Sequence, residues 1–201
     1  MTDYKLSYFD FSGSRGEECR LALFVNGVEF EDNRIPPKQW PELKSTTPFG
    51  SLPLLERDGG PPLSQCNAIL AYIGRVHGHH PQDPWDAARH EAIFAAVEDY
   101  RGAAIATGDT KDEDEKKRRR RAFAEGYVQR WAGGLEQQIT GPFIEGEQLH
   151  LADLKLFVIM DALLGGKIDY IGEDDFADHP KLVKLHAAVA AHPRVAQWRA
   201  R

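Results

Sequence analysis

Pro48-Phe49-Gly50-Ser51-Leu52-Pro53-Leu54-Leu55-Glu56, then Asp58-Gly59-Gly60, then Leu63-Ser64-Gln65-Cys66: the first half of the chain is organised around this stretch. A glycine-containing loop leads into a short apolar strand. Pro53 stands where that strand begins, a position that needs no ladder N–H. Asp58-Gly59-Gly60 is hairpin-turn chemistry, because glycine takes a positive φ at no steric cost. The chain returns through Leu63 and Ser64 and meets a helical pattern at about Gln65, with Ala68, Ile69, Tyr72 and Ile73 recurring until Gly78. A helix N-terminus offers backbone N–H groups and positive dipole, so it suits a carboxylate. Backbone on the proline side and a helix start on the other form a clamp for something peptide-like and acidic.

Upstream, Lys5 to Phe11 reads as a strand, with Leu6, Tyr8 and Asp10 on one face and Lys5, Ser7, Phe9 and Phe11 on the other. Ser12-Gly13-Ser14 turns the chain. Glu17 and Glu18 open a helix whose positive end favours acids. Leu21, Phe24 and Val25 continue it, and Asn26-Gly27 closes it. Val28 to Ile35 is a second strand, ended by Pro36-Pro37, and Trp40, Leu43 and Lys44 fall in an irregular or briefly helical segment. A helix between the first two strands requires a parallel pair, whereas the later two form a hairpin. The expected result is β-α-β followed by β-β-α, a four-stranded mixed sheet with helices packed on it.

Downstream, His80-Pro81-Gln82-Asp83-Pro84 is a proline-broken linker and marks a domain boundary, with domains over residues 1–80 and 81–201. The remainder contains no convincing strand. Helices are expected over Ala87 to about Thr107, Lys111 to about Gln138, Leu151 to Leu164 and Lys181 to Ala190, with a last short turn from Val195 to Arg201. The helix at Leu151 is apolar nearly all round and therefore central. In the second helix Asp112 to Glu115 precede Lys116 to Arg121, each acid four residues before a base, the favourable order for a solvated helix face. Read alone, that basic run is also a nucleic-acid or nuclear-localisation pattern.

With 201 residues, 42% of them hydrophobic, the chain has enough apolar content for a real core. The formal net charge of −6 argues against nucleic acid as the main partner. No apolar run approaches the roughly 18 residues that a membrane span needs. Met1-Thr2-Asp3-Tyr4-Lys5 lacks the pattern of a signal peptide, and two cysteines, Cys19 and Cys66, fit a reducing compartment, so a cytoplasmic location is expected.

Tyr8 lies on the first strand near a glycine-containing turn. Its phenol, with a pKa near 10, is a donor at neutral pH and suits a thiolate or oxyanion. Ser12 and Ser14 border the same turn and are the alternatives for that bond. Cys66 at a helix start is either a reactive thiol or a backbone donor. Trp40 and Lys44, four apart, share one side of a helical turn. His77-Gly78-His79-His80 is a polar helix terminus, and no metal is expected.

Taken together, the chain resembles the cytosolic glutathione transferases, and within them the sigma class, which includes the haematopoietic type of prostaglandin D synthase. The resemblance rests on Tyr4-Lys5-Leu6-Ser7-Tyr8-Phe9, on Val28 to Ile35, on Trp40 to Gly50, on Leu52-Pro53-Leu54-Leu55-Glu56 and on Gln65 with Ala68-Ile69. It continues more thinly through Glu98-Asp99-Tyr100, Ala152-Asp153-Leu154 and His179-Pro180-Lys181-Leu182. It implies a thioredoxin-like N-terminal domain followed by an all-α domain that contributes the electrophile site and dimer contacts. It implies glutathione as co-substrate and Tyr8 as the donor that favours its thiolate, with Arg15 adding positive charge. Trp40 and Lys44 would hold the glycine end, and Gly50, Ser51, Leu52 and a cis Pro53 the middle of the tripeptide. Gln65 and Cys66 would hold the γ-glutamyl carboxylate, and Asp99 of a second subunit the γ-glutamyl amino group. Phe9, Phe11, Arg101, Ala104 and Ile105 would line the electrophile site, and Asp153 would form the capping box of the central helix.

Departures from the family pattern stand at Cys66, where serine is usual, at the loop before Arg15, which is one residue longer, and at His150, where a capping Ser or Thr is usual. Cysteine is the weaker donor, which shifts weight to its backbone N–H. Three activities fit the resemblance: conjugation to small hydrophobic electrophiles in detoxification, glutathione-dependent isomerisation of the prostaglandin D synthase kind, and peroxide reduction. A non-catalytic glutathione-binding protein and a thiol oxidoreductase using Cys66 are the readings from other classes.

Overall fold

The computed structural model describes residues 4–201. Tyr4–Phe9 (β1) buries Tyr4, Leu6, Ser7 and Tyr8, which marks it as a central strand covered on both faces. Its neighbours are Phe30–Ile35 (β2), parallel, and Leu54–Arg57 (β3), antiparallel; Leu63–Ser64 (β4) completes the order β2-β1-β3-β4. The four-stranded mixed sheet expected from the sequence is therefore present. Gly59, at φ 73°, turns β3 into β4.

Ser14–Val25 (α1) crosses from β1 to β2 and packs on Cys66–His77 (α3). Trp40–Leu43 (α2) is one turn between two short 3-10 segments. Helix α1 begins at Ser14, earlier than Glu17. Gly13, at φ 111°, permits so abrupt a start, and Glu17 falls in the first turn. Strand β2 begins at Phe30, later than Val28, because the Val28 N–H caps α1 by donating to the Leu23 carbonyl at 3.0 Å. The first strand ends at Phe9, short of Phe11, because the chain beyond it is held by a buried arginine described below.

The chain divides into two compact units: one runs up to Gln82 and takes in Pro193–Arg201, and the other is Asp83–His192. The C-terminal segment thus groups with the sheet and not with the helical unit. Its helix, Pro193–Arg199 (α9), meets α1, where Trp198 Nε1 donates to Glu17 at 2.6 Å and Arg194 to the Phe24 carbonyl at 2.6 Å.

In the helical unit, Pro84–Gly108 (α4) has Pro84 at its first position and Asp83 accepting from the Trp85 and Asp86 N–H groups. Glu113–Phe123 (α5) and Gln129–Glu136 (α6) are joined by a π turn over Ala124–Val128 that contains Gly126. The sequence pattern shows a single helix there. Leu151–Leu164 (α7) is buried nearly throughout, as its all-round apolarity requires, and packs on Pro180–Ala191 (α8) and α4. Strand-like structure here is confined to isolated bridges such as Phe143–Gly146 and Ile168–Ile171. The basic run on α5 is tied to acids: Arg119 to Glu115, Lys116 to Glu113 and Asp169, Arg121 to Glu125 and Asp175. Among the described residues no helix is long and apolar enough to cross a membrane.

Candidate functional site

The sheet register brings the sequence motifs together. Ser7 pairs with Leu54, and Leu54 with Ser64. One step further along each ladder sets Tyr8, Pro53 and Gln65 abreast at one edge of the sheet. The Leu52–Pro53 bond is cis. Gln65 sits at φ 74°, ψ 114°, immediately before α3. A non-glycine residue held there costs about 1–3 kcal/mol and is a mark of functional sites. The first turn of α3, starting at Cys66, points its N–H groups out of the helix toward that edge.

Tyr8 is 5% exposed. Phe9 and Phe11 approach its ring edge-on at 5.5 and 5.6 Å and stack on one another at 6.4 Å. Behind it stands Gly16: a Cβ built there would lie 2.1 Å from Tyr8 Cδ1. Only glycine leaves room for the ring. Arg20, wholly buried, lies 5.9 Å from the ring centroid. Its Nε donates to Asp32 on β2 at 2.9 Å, and its two Nη atoms to the Phe11 and Phe9 carbonyls at 3.1 and 3.3 Å. The turn that follows Tyr8 is therefore held from inside the sheet-bearing unit. Sequence reasoning passed over both residues. Arg20 carries a signal, a charge amid Cys19, Leu21 and Ala22; Gly16 carries none, because the helix read from the sequence begins after it, at Glu17.

Cys66 departs from the expected geometry. Its thiol faces inward, donating to the buried Glu18 carboxylate at 2.9 Å and lying 3.7 Å from Cys19 Sγ and 3.6 Å from the Arg15 carbonyl. At 4% exposure, Cys66 has its side chain in the core between α1 and α3. This geometry gives no support to a thiol oxidoreductase, and it leaves the backbone as the part of Cys66 that faces the site edge.

Trp40 packs edge-on against Phe9 at 5.6 Å, and the Lys44 stem lies 3.4 Å from a Cβ built on Gly50. Lys44 thus lies beside the loop carrying Gly50, Ser51 and Leu52, and Trp40 beside Phe9 at the end of β1. Ser14 opens α1, and Ser12 is exposed in the turn. In the helical unit Asp99 is exposed on α4, Arg101 pairs with Glu98 at 2.7 Å, Ala104 is buried and Ile105 is exposed. Glu98 also takes the wholly buried Lys155 at 2.7 Å. The histidines at 77–80 face different partners, His77 meeting the Tyr4 hydroxyl and His79 the Asn26 amide. A hollow of about 180 Å³ bounded by Tyr4, Arg57 and Tyr72 lies at the other end of β1 and holds none of the expected site residues.

Residues 4–75 match the family model of the glutathione S-transferase N-terminal domain, and residues 98–201 that of the glutathione S-transferase C-terminal domain. The chain belongs to the glutathione S-transferase family. Its relatives include glutathione S-transferase 1 of Ascaris suum, 47% identical over half of this chain and 48% of that one. The chain is also similar to hematopoietic prostaglandin D synthase of Gallus gallus, 31% identical over 98% of this chain and 96% of that one. A solved structure of prostaglandin synthase D of Nilaparvata lugens superposes with a TM-score of 0.83 at 28% identity, covering 98% and 97% of the two chains. The match to the Ascaris transferase thus spans about half of that protein's length. These relatives bear out the family resemblance read from the sequence. They also bear out the glutathione S-transferase fold, a thioredoxin-like unit followed by a helical one.

Proposed function

We propose that the protein binds glutathione along the sheet edge marked by Tyr8, Pro53 and Gln65 and adds its thiolate to small hydrophobic electrophiles. The observation that carries the reading is the ladder register, which sets a buried tyrosine, a cis-proline loop and a strained residue at a helix start in one row. A free thiol of pKa near 8.5 is mostly protonated at neutral pH, and only the thiolate attacks. The Tyr8 hydroxyl, donating to sulfur, favours the thiolate and holds it for attack. Arg15, in the first turn of α1, adds positive charge to the same edge. Leu52, preceded by Gly50 and Ser51, presents backbone to the cysteinyl part, and Trp40 and Lys44 hold the glycine carboxylate. Gln65 and the Cys66 N–H receive the γ-glutamyl carboxylate at the positive end of α3. The stacked Phe9 and Phe11 offer the electrophile an aromatic surface beside the sulfur. The working form is a homodimer in which Asp99 serves the other subunit's γ-glutamyl amino group.

Tyr8→Phe tests the mechanism. Turnover of an aryl halide should fall many-fold while the variant is still retained on immobilised glutathione. Unchanged turnover would remove Tyr8 from the mechanism and promote Ser12 or Ser14. A second reading, glutathione-dependent isomerisation, draws on the near full-length similarity to a prostaglandin D synthase. A panel of an aryl halide, an organic peroxide and a prostaglandin endoperoxide separates the activities.

A further inference from the structure

We propose that His90, Glu145 and His150, in the helical unit, form a binding site for a divalent transition-metal ion of the zinc type. His90 comes from α4, Glu145 from the loop after α6, and His150 from the residue that starts α7. Both imidazoles are buried, and both present Nε2 to the same carboxylate oxygen. His90 Nε2 lies 3.6 Å and His150 Nε2 3.7 Å from Glu145 Oε2. All three ligand atoms lie within 4.8 Å of one another. The rings stand nearly perpendicular, at 80°, with centroids 4.8 Å apart, so their nitrogens approach a common point from different directions.

The donor set suits the ion. Two imidazoles and one carboxylate are a zinc ligand set, with metal–ligand distances of about 2.0–2.2 Å that place neighbouring ligands of a tetrahedron about 3.3 Å apart. The nitrogen–oxygen separations need to close by a few tenths of an ångström, and the two imidazole nitrogens, within 4.8 Å of each other, close by turning the rings toward the ion. Imidazole favours zinc, copper and nickel over calcium or magnesium. Glu145 is exposed while both histidines are buried, so the fourth position opens to water.

The scaffold already holds the ligands in place. Asp153, buried in the first turn of α7, accepts from the Ile144 N–H through one oxygen and the His150 N–H through the other, each at 2.8 Å. One carboxylate thereby pins the chain next to Glu145 and the chain at His150. The Phe143 N–H to Gly146 carbonyl bond at 3.1 Å and the Gly146 N–H to Thr140 hydroxyl bond at 3.0 Å close the loop around Glu145. Sequence spacing hides the group, because His90 is remote from the other two and no short motif unites them. His150 is also the residue that departs from the usual N-cap type.

The experiment uses untagged full-length protein stripped with a chelator and desalted. It is titrated with Co(II), whose visible bands report coordination, and then with Zn(II) in competition. The expected result is saturable binding of one ion per chain, displacement of cobalt by zinc, and a zinc-dependent rise in the unfolding temperature. Altering groups merely behind a ligand weakens metal binding about 10–100-fold, so losing a ligand should cost at least the upper end of that range. Glu145→Gln, at an exposed position that tolerates the change, and His90→Gln should both show it. A variant with His77, His79 and His80 replaced by Gln should bind as the parent does. The proposal is overturned if no saturable site appears, if Glu145→Gln and His90→Gln bind as the parent does, or if binding is lost with the 77–80 histidines.

Discussion

Replacing Gly16 by alanine adds one methyl group and should cost most of the activity. The new Cβ would stand 2.1, 2.4 and 2.8 Å from Tyr8 Cδ1, Cγ and Cε1. Carbon atoms in contact prefer about 3.5–4.0 Å, so ring or helix must retreat by roughly 1.5 Å. The ring is hemmed in by Phe9, Phe11 and Arg20, and the retreat carries its hydroxyl away from the proposed sulfur position. Misplacement by about 1 Å costs on the order of 100-fold in rate, equivalent to about 2.7 kcal/mol of transition-state stabilisation. Stability should change less. Overpacking costs about 1–3 kcal/mol, while alanine is about 1 kcal/mol better than glycine within a helix. The net, about 0–2 kcal/mol, lowers Tm by up to roughly 8 °C in a chain of this size. Steady-state kinetics with an aryl halide at saturating glutathione measure the first effect, and a thermal melt the second. Adding Gly16→Ala to Tyr8→Phe should lower turnover little further, because both act on one group. A Gly16→Ala enzyme whose kcat stays within about twofold of the parent would refute the argument that this contact positions the donor.

Arg20→Met leaves the Phe9 and Phe11 carbonyls without their buried donor and Asp32 with Arg34, which reaches its other oxygen at 2.8 Å, as its remaining cation. Leaving a buried acceptor unsatisfied costs about 1–3 kcal/mol, and two carbonyls lose their donor while Asp32 keeps Arg34, so urea unfolding should show a loss of about 2–3 kcal/mol; a loss below about 1 kcal/mol would mean that the network does not hold the turn. Cys66→Ser should keep activity and shift glutathione affinity by less than the ~0.5–1.5 kcal/mol of a neutral hydrogen bond, because the side chain faces Glu18. Calorimetric titration showing markedly tighter binding would mean that position 66 reaches the ligand through its side chain. Burial pushes the Tyr100 phenol up from 10.0 to about 12. The folded state then holds that proton when the unfolded chain has released it, so the stabilising term is intact below pH 10 and is lost as pH rises toward 12. Parent protein should lose up to ~3 kcal/mol more than Tyr100→Phe over that span, and parallel alkaline unfolding curves would contradict the assignment.

The architecture was legible where local chemistry repeats. Asp58-Gly59-Gly60, the Asn26-Gly27 ending and the 80–84 linker punctuate the chain, and the helix-separated strands force a parallel pair. What was not legible depends on contacts that no spacing announces. Glu18 was read as a favourable acid at a helix start, yet it is a buried acceptor for a thiol 48 residues away. Cys66 was weighed as donor or nucleophile because a helix start promotes both, but its rotamer turns the thiol inward between α1 and α3, toward Glu18, which no spacing announces. The helical run from Lys111 to Gln138 has the right charge order, but nothing in that order marks the π turn over Ala124–Val128.

The polar residues of α1 account for the first two of these misreadings together. Gly16 and Arg20 are four apart and share one face, which looks onto Tyr8 and the turn after it; Glu18 and Cys19 look onto the start of α3. Helix α1 therefore buries polar groups beside Leu21, Leu23, Phe24 and Val25, and a start placed where acids favour the positive end falls three residues late, at Glu17. Its buried polar groups each close an account opened elsewhere: Arg20 satisfies two carbonyls that leave the sheet, and Glu18 satisfies the thiol of Cys66. A helix that merely covered the sheet would be built from leucines. That α1 instead carries a buried glycine, arginine and glutamate in five residues is best explained by its task, which is to fix both ends of the proposed glutathione site, the tyrosine at one end and the α3 N-terminus at the other.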